Sequence, residues 1–304
     1  MLHNIFDRLY SKLKRRYGFH SVLRFAVREL NSVLTPIYFK LCKRGRASFL
    51  PRRGEEKIIV SLTTFPARIK NIWMVIECLL RQSTLPDKII LYLSREQFPG
   101  ELNDIPINLK KYCGTGILNL KFVSEDLRSH KKYFYALQEY PTDLIITLDD
   151  DIFYASNIIS DLMGLHDEFP GSICSLRAYE VTKVRGKIDS YPKWKKVEGF
   201  RSPTLNLFHT SGGGTLYKKE FFPNDVFDDE VFMKYCRYAD DVWLNLMAQK
   251  KSTKTVKGTY FSNLLPIKSN SFKLSDNNVA NNGNDQQIKE VITYYGMDES
   301  KLFN

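Results

Sequence analysis

Two clusters of carboxylates stand next to apolar stretches of the sequence. Asp149, Asp150 and Asp151 come directly after the apolar run 144–148, which is typical of a buried strand. Three adjacent carboxylates repel one another, and a divalent cation such as Mg²⁺ or Mn²⁺ removes that cost while it shares phosphate oxygens. In an extended backbone Asp149 and Asp151 point to the same side, so we expect this pair to address one ion. A structural role is the alternative, because carboxylates are also favoured at a helix N-terminus.

A second acidic pair, Asp240 and Asp241, precedes a predicted helix. Asp240 could simply cap that helix. Asp241 would then lie in the first turn, where it could face a cleft and act as a general base. Together with the triplet, the pair is a stronger indication of a functional site than it is alone.

A glycine-rich segment, His209–Tyr217, contains Gly212, Gly213 and Gly214 in succession. Glycines lack a side chain, so a ligand can approach their backbone closely. The spacing is not that of a P-loop. A flexible turn between two strands is the alternative interpretation.

These clusters must be positioned by the elements around them. Apolar strands alternate with helices, which predicts an α/β fold with a mostly parallel sheet flanked by helices. Ligands of such sheets bind beyond the carboxyl ends of the strands, where the polar clusters stand. After residue 180 the pattern is irregular, which indicates long loops, and the Asn- and Asp-rich stretch 275–287 predicts a further loop. The predicted strands are 57–63, 88–93, 118–123, 144–148 and 172–176, and the predicted helices are 72–82, 131–140, 155–168 and 286–295.

The net charge of +11 arises at one end of the chain. Residues 1–54 carry thirteen basic and two acidic side chains, whereas basic and acidic residues balance in the remainder. Apolar residues at helical spacing lie between these charges, so we predict a basic amphipathic helical arm over 1–54 and a catalytic domain over 55–304. Pro36 disfavours one continuous helix in the arm. No run reaches the roughly 18 uncharged apolar residues of a spanning helix, and no secretory signal is evident.

The arm can lie on an anionic membrane surface, with apolar side chains in the acyl boundary and Lys and Arg at the headgroups. The alternative is an arm that packs on its own domain or on a second subunit. Nucleic acid is disfavoured as a partner, because no recognition motif accompanies the charge. Five widely spaced cysteines without a CxxC pair favour reduced thiols, and therefore a cytoplasmic protein. Together with a membrane-bound arm, this predicts peripheral attachment to the inner face of the cell membrane.

The order of four features resembles the GT-A glycosyltransferases found among bacterial polysaccharide and lipopolysaccharide transferases. The features are Ser61–Arg68 after the first strand, the Asp triplet, the glycine-rich segment and the acidic pair before a helix. Together they cover roughly residues 57–250.

The resemblance implies a GT-A, Rossmann-like fold and a metal-dependent glycosyltransferase of the hexosyltransferase type. Such an enzyme moves a sugar from a nucleotide-sugar donor to a glycan or lipid-linked acceptor in surface polysaccharide synthesis. Asp149 and Asp151 resemble the DXD motif, which holds Mn²⁺ or Mg²⁺ on the donor diphosphate. Asp241 resembles the base of inverting members, with Asp240 beside it in the catalytic pair. The implied donor residues are Thr63, Thr64, Pro66, Arg68, Lys132, Asp149 and Asp150, and the implied acceptor residues are His209, Gly212, Gly213 and Gly214.

Some positions keep a second interpretation. Such enzymes often line the donor site at the positions of Lys131, Lys132 and Tyr133, but an ordinary solvated helix start explains all three equally well. Many family members also bind the metal through a His near the C-terminus, and this chain has no His after His209. The ion would then rely on the Asp cluster, the diphosphate and water, or a tail residue such as Lys268 or Asn270 would contact the diphosphate instead.

Two other functions remain open from the sequence. In a phosphohydrolase Asp149 would be the nucleophile and Asp151 the acid/base, although Phe153 stands where such enzymes usually place Thr or Val. In a non-catalytic membrane-surface protein the acidic clusters would merely cap helices. The latter predicts that no nucleotide binds.

Overall fold

The structure of the protein is a computed structural model, and it describes residues 2–13, 18–44, 56–114, 116–259, 264–268 and 283–304. The predicted boundary between arm and domain near 51–54 lies outside the described residues, as do Asn270 and most of the stretch 275–287.

Thirteen strands and nine helices lie within the described residues. The strands are β1 (Ile58–Thr63), β2 (Lys88–Ser94), β3 (Leu118–Val123), β4 (Leu144–Thr147), β5 (Ile173–Ser175), β6 (Ala178–Glu180), β7 (Lys183–Val184), β8 (Lys187–Ile188), β9 (Lys195–Lys196), β10 (Arg201–Thr204), β11 (Leu207–His209), β12 (Thr215–Tyr217) and β13 (Thr255–Lys257). The helices are α1 (Leu2–Lys12), α2 (Gly18–Leu41), α3 (Trp73–Leu79), α4 (Ile107–Cys113), α5 (Lys131–Glu139), α6 (Ile158–Glu168), α7 (Asp229–Tyr235), α8 (Asp240–Lys251) and α9 (Gly283–Tyr294).

One eight-stranded sheet forms the centre of the molecule, in the order β10-β13-β5-β12-β4-β1-β2-β3. Strands β4, β1, β2 and β3 run parallel to one another. Strand β12 lies between β4 and β5 and is antiparallel to both. Alternate residues of the strands enter two apolar clusters, Ile59 and Ile145 in one and Val60 and Ile146 in the other. Both faces of the sheet are therefore covered, and the predicted α/β fold with a mostly parallel sheet is confirmed.

The register of this sheet brings the predicted functional segments together. Ser61 in β1 pairs with Thr147 in β4, so the two strands end side by side. The segments that follow them, which contain Arg68 and Asp149, leave the same edge of the sheet, as expected for a ligand-binding edge. Strand β12 runs antiparallel to β4 and begins at that edge, where Thr215 pairs with Thr147. The glycines that precede Thr215 therefore lie at the same edge.

The arm packs on the domain through α1. The side-chain amide of Asn4 donates to Ser156 Oγ at 2.6 Å, and its carbonyl oxygen accepts from the Ser156 backbone N–H at 3.1 Å. Phe6 and Tyr10 of α1 join the core. Within the described residues, no helix combines the length and the apolarity that a bilayer crossing requires.

Two helices differ from the sequence prediction. Helix α2 runs through Pro36 without a break. The turn that follows is held by Arg81, which donates to the carbonyls of Phe39 and Cys42 at 3.2 and 2.7 Å. These bonds supply donors to carbonyls at the helix C-terminus, which lack partners within the helix. Helix α9 begins at Gly283, inside the stretch predicted as a loop.

Candidate active site

Lys132, in the first turn of α5, joins three segments of the chain. Its ammonium lies 2.7 Å from Asp149 Oδ1, 2.8 Å from Ser211 Oγ and 3.0 Å from Asp240 Oδ2. The first two contacts are hydrogen bonds, whereas the third is an ion pair outside hydrogen-bond geometry, since Asp240 Oδ2 has no hydrogen-bond partner among the described residues. Burial opposes the charge, but the carboxylates of Asp149, Asp240 and Asp241 raise the pKa of Lys132 well above its usual value. Lys132 is therefore a charged residue that positions all three segments.

Arg68 neutralises the other two carboxylates of the triplet. Its Nη1 lies 2.7 Å from Asp150 Oδ1 and 3.0 Å from Asp151 Oδ2. Thr64 Oγ1 donates to Asp150 Oδ2 at 2.5 Å. Thr64 and Asp150 are both buried and bonded to each other, and Asp150 orients Arg68.

The triplet does not form the same-side pair that an extended backbone would give. Asp149 binds Lys132, whereas Asp150 and Asp151 share Arg68. The chain leaves the strand after Thr147 and turns at 150–151, so side chains no longer alternate between two faces. Asp149 and Asp151 keep the more exposed side chains, 37% and 22% accessible.

Asp241 is held by the glycine-rich segment. Ser211 donates to Asp241 Oδ1 from its backbone N–H and from its hydroxyl, both at 2.9 Å. Burial and then the neighbouring Asp240 carboxylate raise the pKa of Asp241 to about 7. A carboxylate that titrates near neutrality suits a general base.

Asp240 has a different role from the predicted cap. The helix is capped by Ala239 without a side-chain hydrogen bond, and the Asp240 carboxylate pairs with Lys132 instead. Burial opposes its charge, but Lys132 and His130 lower the pKa of Asp240 below its usual value. The pKa of Asp240 is lowered and that of Asp241 is raised. Asp240 is thus the charged partner of Lys132, and Asp241 is the candidate base.

Close contacts explain the consecutive glycines. A Cβ at Gly212 would lie 2.6 Å from Asp149 Oδ2, and a Cβ at Gly213 would lie 2.2 Å from Arg177 Cβ. Gly214 has a φ of +95°, which side chains disfavour. The glycines thus let Asp149 and Arg177 approach the backbone from two positions, which a merely flexible turn would not require.

His209, a predicted acceptor residue, lies in the interior. Its side chain is fully buried, and Nδ1 lies 3.2 Å from Thr255 Oγ1. Burial lowers the pKa of His209 to about 3, so the ring is neutral. The structure does not support an acceptor contact from this residue.

The two residues beside Lys132 face elsewhere. Lys131 pairs with Asp126. Tyr133 is buried and packs edge-on against His130. Both side chains are buried, so the solvated helix start suggested by the sequence is wrong for these two residues.

Thr63 and Pro66 flank the paired carboxylates at the end of β1. Thr63 is partly exposed and its hydroxyl donates to the Tyr92 carbonyl at 2.9 Å. Pro66 is exposed. Neither contacts the triplet through a hydrogen bond within the described residues.

Three further residues complete the site and were not singled out from the sequence. Ser211 bridges Lys132 and Asp241, and the Tyr154 hydroxyl accepts from the Asp149 N–H at 2.8 Å and donates to the Gly212 carbonyl at 3.2 Å. Arg177 follows the carboxyl end of β5, so the rule that located the triplet could have found it. The spacing of Tyr154 carries no such signal.

The donor set fits a divalent ion that shares its coordination with a diphosphate. Within the described residues, no group of three or more His, Cys, Asp or Glu side chains could hold an ion. Mg²⁺ is often bound by one or two carboxylates plus substrate phosphates, and Asp149 and Asp151 supply that number. Lys132 and Arg68 already pair with these carboxylates, so an ion without the diphosphate would compete with both cations.

No protein-family model matches the chain, and no curated protein matches it. Similar solved structures include S. aureus TarS 1-349 in complex with UDP-GlcNAc, which is 14% identical with a TM-score of 0.45 over 72% of this chain and 60% of that one. The mannosyltransferase PcManGT from Pyrobaculum calidifontis, in complex with GDP-Man and Mn²⁺, is 12% identical with a TM-score of 0.38 over 83% of this chain and 66% of that one. A CMP:2-keto-3-deoxy-manno-octonic acid synthetase complexed with CTP is 10% identical with a TM-score of 0.42 over 69% of this chain and 91% of that one. In a further structure of S. aureus TarS 1-349, the chain spans 59% of that protein's length.

Proposed function

We propose that the protein is an inverting glycosyltransferase of the hexosyltransferase type, which moves a sugar from a nucleotide-sugar donor to a hydroxyl of a glycan or lipid-linked acceptor in surface polysaccharide synthesis. The observation that carries the proposal is the position of Lys132. Its buried ammonium joins Asp149, in the predicted metal-binding triplet, to Asp240 and to the loop that holds Asp241. A donor-side carboxylate and a candidate base are thereby fixed relative to each other, as a direct displacement requires.

On the donor side, Asp149 and Asp151 would hold Mn²⁺ or Mg²⁺ together with diphosphate oxygens. The bound ion would neutralise the charge that develops on the leaving nucleoside diphosphate. Arg68 fixes the orientation of Asp151 through its 3.0 Å ion pair. Thr63 and Pro66, at the rim beside Arg68, would contact the nucleoside.

On the acceptor side, Asp241 would take the proton of the attacking hydroxyl. Ser211 fixes one oxygen of this carboxylate by two hydrogen bonds. With its pKa raised to about 7, Asp241 is basic enough to accept a proton and is still largely ionised slightly above neutrality. Gly212, Gly213 and Gly214 leave room for the acceptor along the loop.

A donor screen with matched variants tests this proposal. The full-length protein is incubated with UDP- and GDP-sugars and Mn²⁺, and release of the nucleoside diphosphate is followed by mass spectrometry. We expect release by the wild type, and its loss in EDTA, in Asp241→Asn and in the double variant Asp149→Asn/Asp151→Asn. Asp167→Asn, an exposed aspartate on α6, is the control.

Two results would contradict the assignment. Full activity of the double variant, or of the wild type in EDTA, would exclude the proposed metal site. Turnover of a phosphate monoester through an aspartyl-phosphate would indicate the phosphohydrolase instead.

The arm supports a second part of the proposal, peripheral attachment to the inner face of the cell membrane. The buried residues of α2 are Arg24, Asn31, Thr35 and Phe39, so three of the four are polar, and most of its large apolar side chains are exposed. Surface helices usually have the reverse arrangement. The exposed apolar side chains of the two arm helices are Ile5, Leu9, Phe19, Val22, Phe25, Leu30, Val33, Leu34, Ile37 and Leu41.

An anionic membrane matches this outward side in both of its properties. A continuous apolar surface of this kind marks an interaction site. Arg8, Lys12 and Lys40 are exposed on the same two helices and would meet anionic headgroups. A helical arm would then bring the catalytic domain to lipid-linked acceptors.

Vesicle sedimentation tests the attachment. Wild-type protein should bind phosphatidylglycerol-containing vesicles and bind phosphatidylcholine vesicles much less. The triple variant Phe19→Ser/Phe25→Ser/Leu41→Ser should lose most of this binding, whereas Ile107→Ser, which alters an equally exposed apolar residue on α4, should retain it. A wild type that ignores vesicles and dimerises through the arm would contradict attachment and assign the surface to a second copy.

A further inference from the structure

We infer that the arm is part of the donor site, because Asn4 of α1 positions Asp149 through Ser156 and Tyr154. The role of Asp149 toward the donor rests on the proposed function, whereas the path from the arm to Asp149 rests on contacts within the protein alone. Asn4 is accordingly a positioning residue and does not itself touch the donor.

The arm reaches the chain after the triplet through a pair of hydrogen bonds. The side-chain amide of Asn4 donates to Ser156 Oγ at 2.6 Å, and its carbonyl oxygen accepts from the Ser156 backbone N–H at 3.1 Å. Both residues are half-buried. Because the second bond is made to the main chain, the pair fixes the backbone of residue 156 relative to α1.

Tyr154 carries this constraint to the site. It lies two residues before Ser156, and its side chain is buried. Its hydroxyl accepts from the Asp149 N–H at 2.8 Å and donates to the Gly212 carbonyl at 3.2 Å. A displacement of the backbone at residue 156 would therefore move the hydroxyl that joins Asp149 to the glycine-rich segment.

Helix α1 can serve as an anchor because α2 and the core hold it. Arg24 of α2 donates from Nη1 to the carbonyls of Tyr10 and Leu13 at 3.1 and 2.9 Å, and its guanidinium carbon lies 3.8 Å from the centre of the Tyr10 ring. Phe6 and Tyr10 belong to the same buried apolar cluster as Tyr154. Terminal segments are poorly ordered unless they are tied down, and these contacts tie down α1.

A second contact connects α2 with the triplet itself. Glu29 of α2 lies 2.8 Å from Lys268 Nζ. In the segment that carries Lys268, the Ile267 N–H donates to the Asp151 carbonyl at 2.7 Å. The ion pair is exposed and contributes little stability by itself, but through it the arm contacts the chain on both sides of Tyr154 in the sequence.

The support of the donor site and the proposed membrane surface use different sides of the same helices. Asn4 is half-buried against the domain, whereas Ile5 and Leu9 of α1 are exposed. An arm that serves attachment alone would leave donor binding by the protein in solution unchanged. The arm described here makes donor binding depend on Asn4 even when no membrane is present.

Amide hydrogen exchange of the full-length protein without nucleotide, measured by NMR, tests the path directly. Asn4→Ala removes both hydrogen bonds to Ser156, so the N–H groups of Ser156 and Asp149 should exchange about tenfold faster. Asn4→Asp should keep most of the protection, because a carboxylate can accept from both the hydroxyl and the N–H of Ser156. Arg8→Gln, at an exposed position on the same helix, is the control and should change neither amide.

Calorimetric titration with Mn²⁺ in the presence of UDP or GDP tests the consequence for the donor. Asn4→Ala should weaken this binding about fivefold, and Asn4→Asp should restore it. Leu109→Ala removes a buried side chain from α4 and should lower the melting temperature without weakening the binding. The comparison separates positioning of the donor site from a general loss of stability.

Unchanged exchange at the Asp149 N–H in Asn4→Ala, or equal acceleration in Arg8→Gln, would overturn the inference, as would equal loss of binding in Leu109→Ala. If Asn4→Ala fails to fold, Ser156→Ala, which removes only the Oγ partner, decides the outcome by the same exchange measurement. A wild type that binds neither nucleotide would refute the proposed function, because the exchange experiment needs no donor. Normal exchange and normal binding in Asn4→Ala would refute only the present inference.

Discussion

Lys132 connects the two carboxylate clusters because a single buried ammonium satisfies acceptors from both. Its neighbours Asp149 and Asp240 come from different elements, so the site depends on long-range packing as well as on local sequence. Arg68 performs the corresponding task for Asp150 and Asp151. The triplet is thus divided between two cations at the residue scale.

Replacing Lys132 by Gln should damage both stability and catalysis. Removal of one partner from a buried charge pair costs about 3–5 kcal/mol of unfolding free energy, and urea denaturation would measure it. Lys132 also lowers the pKa of Asp241, so the variant should shift the pH profile of transfer to higher pH. Lys131→Gln removes a neighbouring buried lysine and should destabilise the fold without that shift. Identical pH profiles for the two variants would contradict the role of Lys132.

The raised pKa of Asp241 predicts opposite effects on activity and stability. The ionised base predominates above about pH 7, so transfer should increase as the pH rises through that value. Because the folded pKa exceeds the unfolded one, ionisation of Asp241 destabilises the fold, and stability should fall over the interval from the unfolded value to about 7. Asp241→Asn should abolish transfer yet be relatively more stable at pH 8 than at pH 5, compared with the wild type. Melting curves at both pH values check this, and an equal difference at the two would speak against it.

The sequence located most of the site residues but not their partners. The positions of Asp149 and Asp241 follow from strands and helices that the apolar pattern reveals. That Asp240 pairs with Lys132, and does not cap its helix, depends on the tertiary approach of the first turns of α5 and α8, which no local pattern encodes. His209 stands in a polar segment, but its burial is decided by neighbours such as Thr255.

At the scale of elements, the glycine-rich segment is fixed by contacts on both of its sides. Gly213→Ala would place a Cβ 2.2 Å from Arg177 Cβ, so the segment must move. Because the same segment holds Asp241 through Ser211, we expect at least a tenfold loss of transfer and a lower melting temperature. Gly171→Ala has nothing within 4 Å and is the control. Wild-type activity in Gly213→Ala would show that the segment tolerates displacement.

The strands were predictable because β1, β2 and β4 are buried on both faces and are therefore continuously apolar. Helix α2 was predicted to break at Pro36 because the local cost of proline is large. Arg81, which holds the turn after α2, lies two residues after the end of α3. Only the folded structure reveals this contact. The strands after residue 180 are too short to show the alternation of apolar and polar residues that marks a strand in a sequence.

At the scale of the whole molecule, the excess positive charge lies in the arm, and the domain is balanced overall. The two arm helices bury Phe6, Tyr10 and Phe39 against the domain and expose ten large apolar side chains. That outward surface suits a membrane.

The central claim is that Asp149 and Asp151 form a site for a divalent ion only together with a nucleoside diphosphate. Calorimetric titration of the full-length protein with Mn²⁺, with UDP or GDP, and with both tests it most directly. We predict weak binding of Mn²⁺ alone, because Lys132 and Arg68 occupy the carboxylates, and at least tenfold tighter binding when the diphosphate is present. Asp149→Asn/Asp151→Asn should abolish this cooperation. If neither UDP nor GDP binds, with or without Mn²⁺, the result would contradict the account and favour a non-catalytic protein.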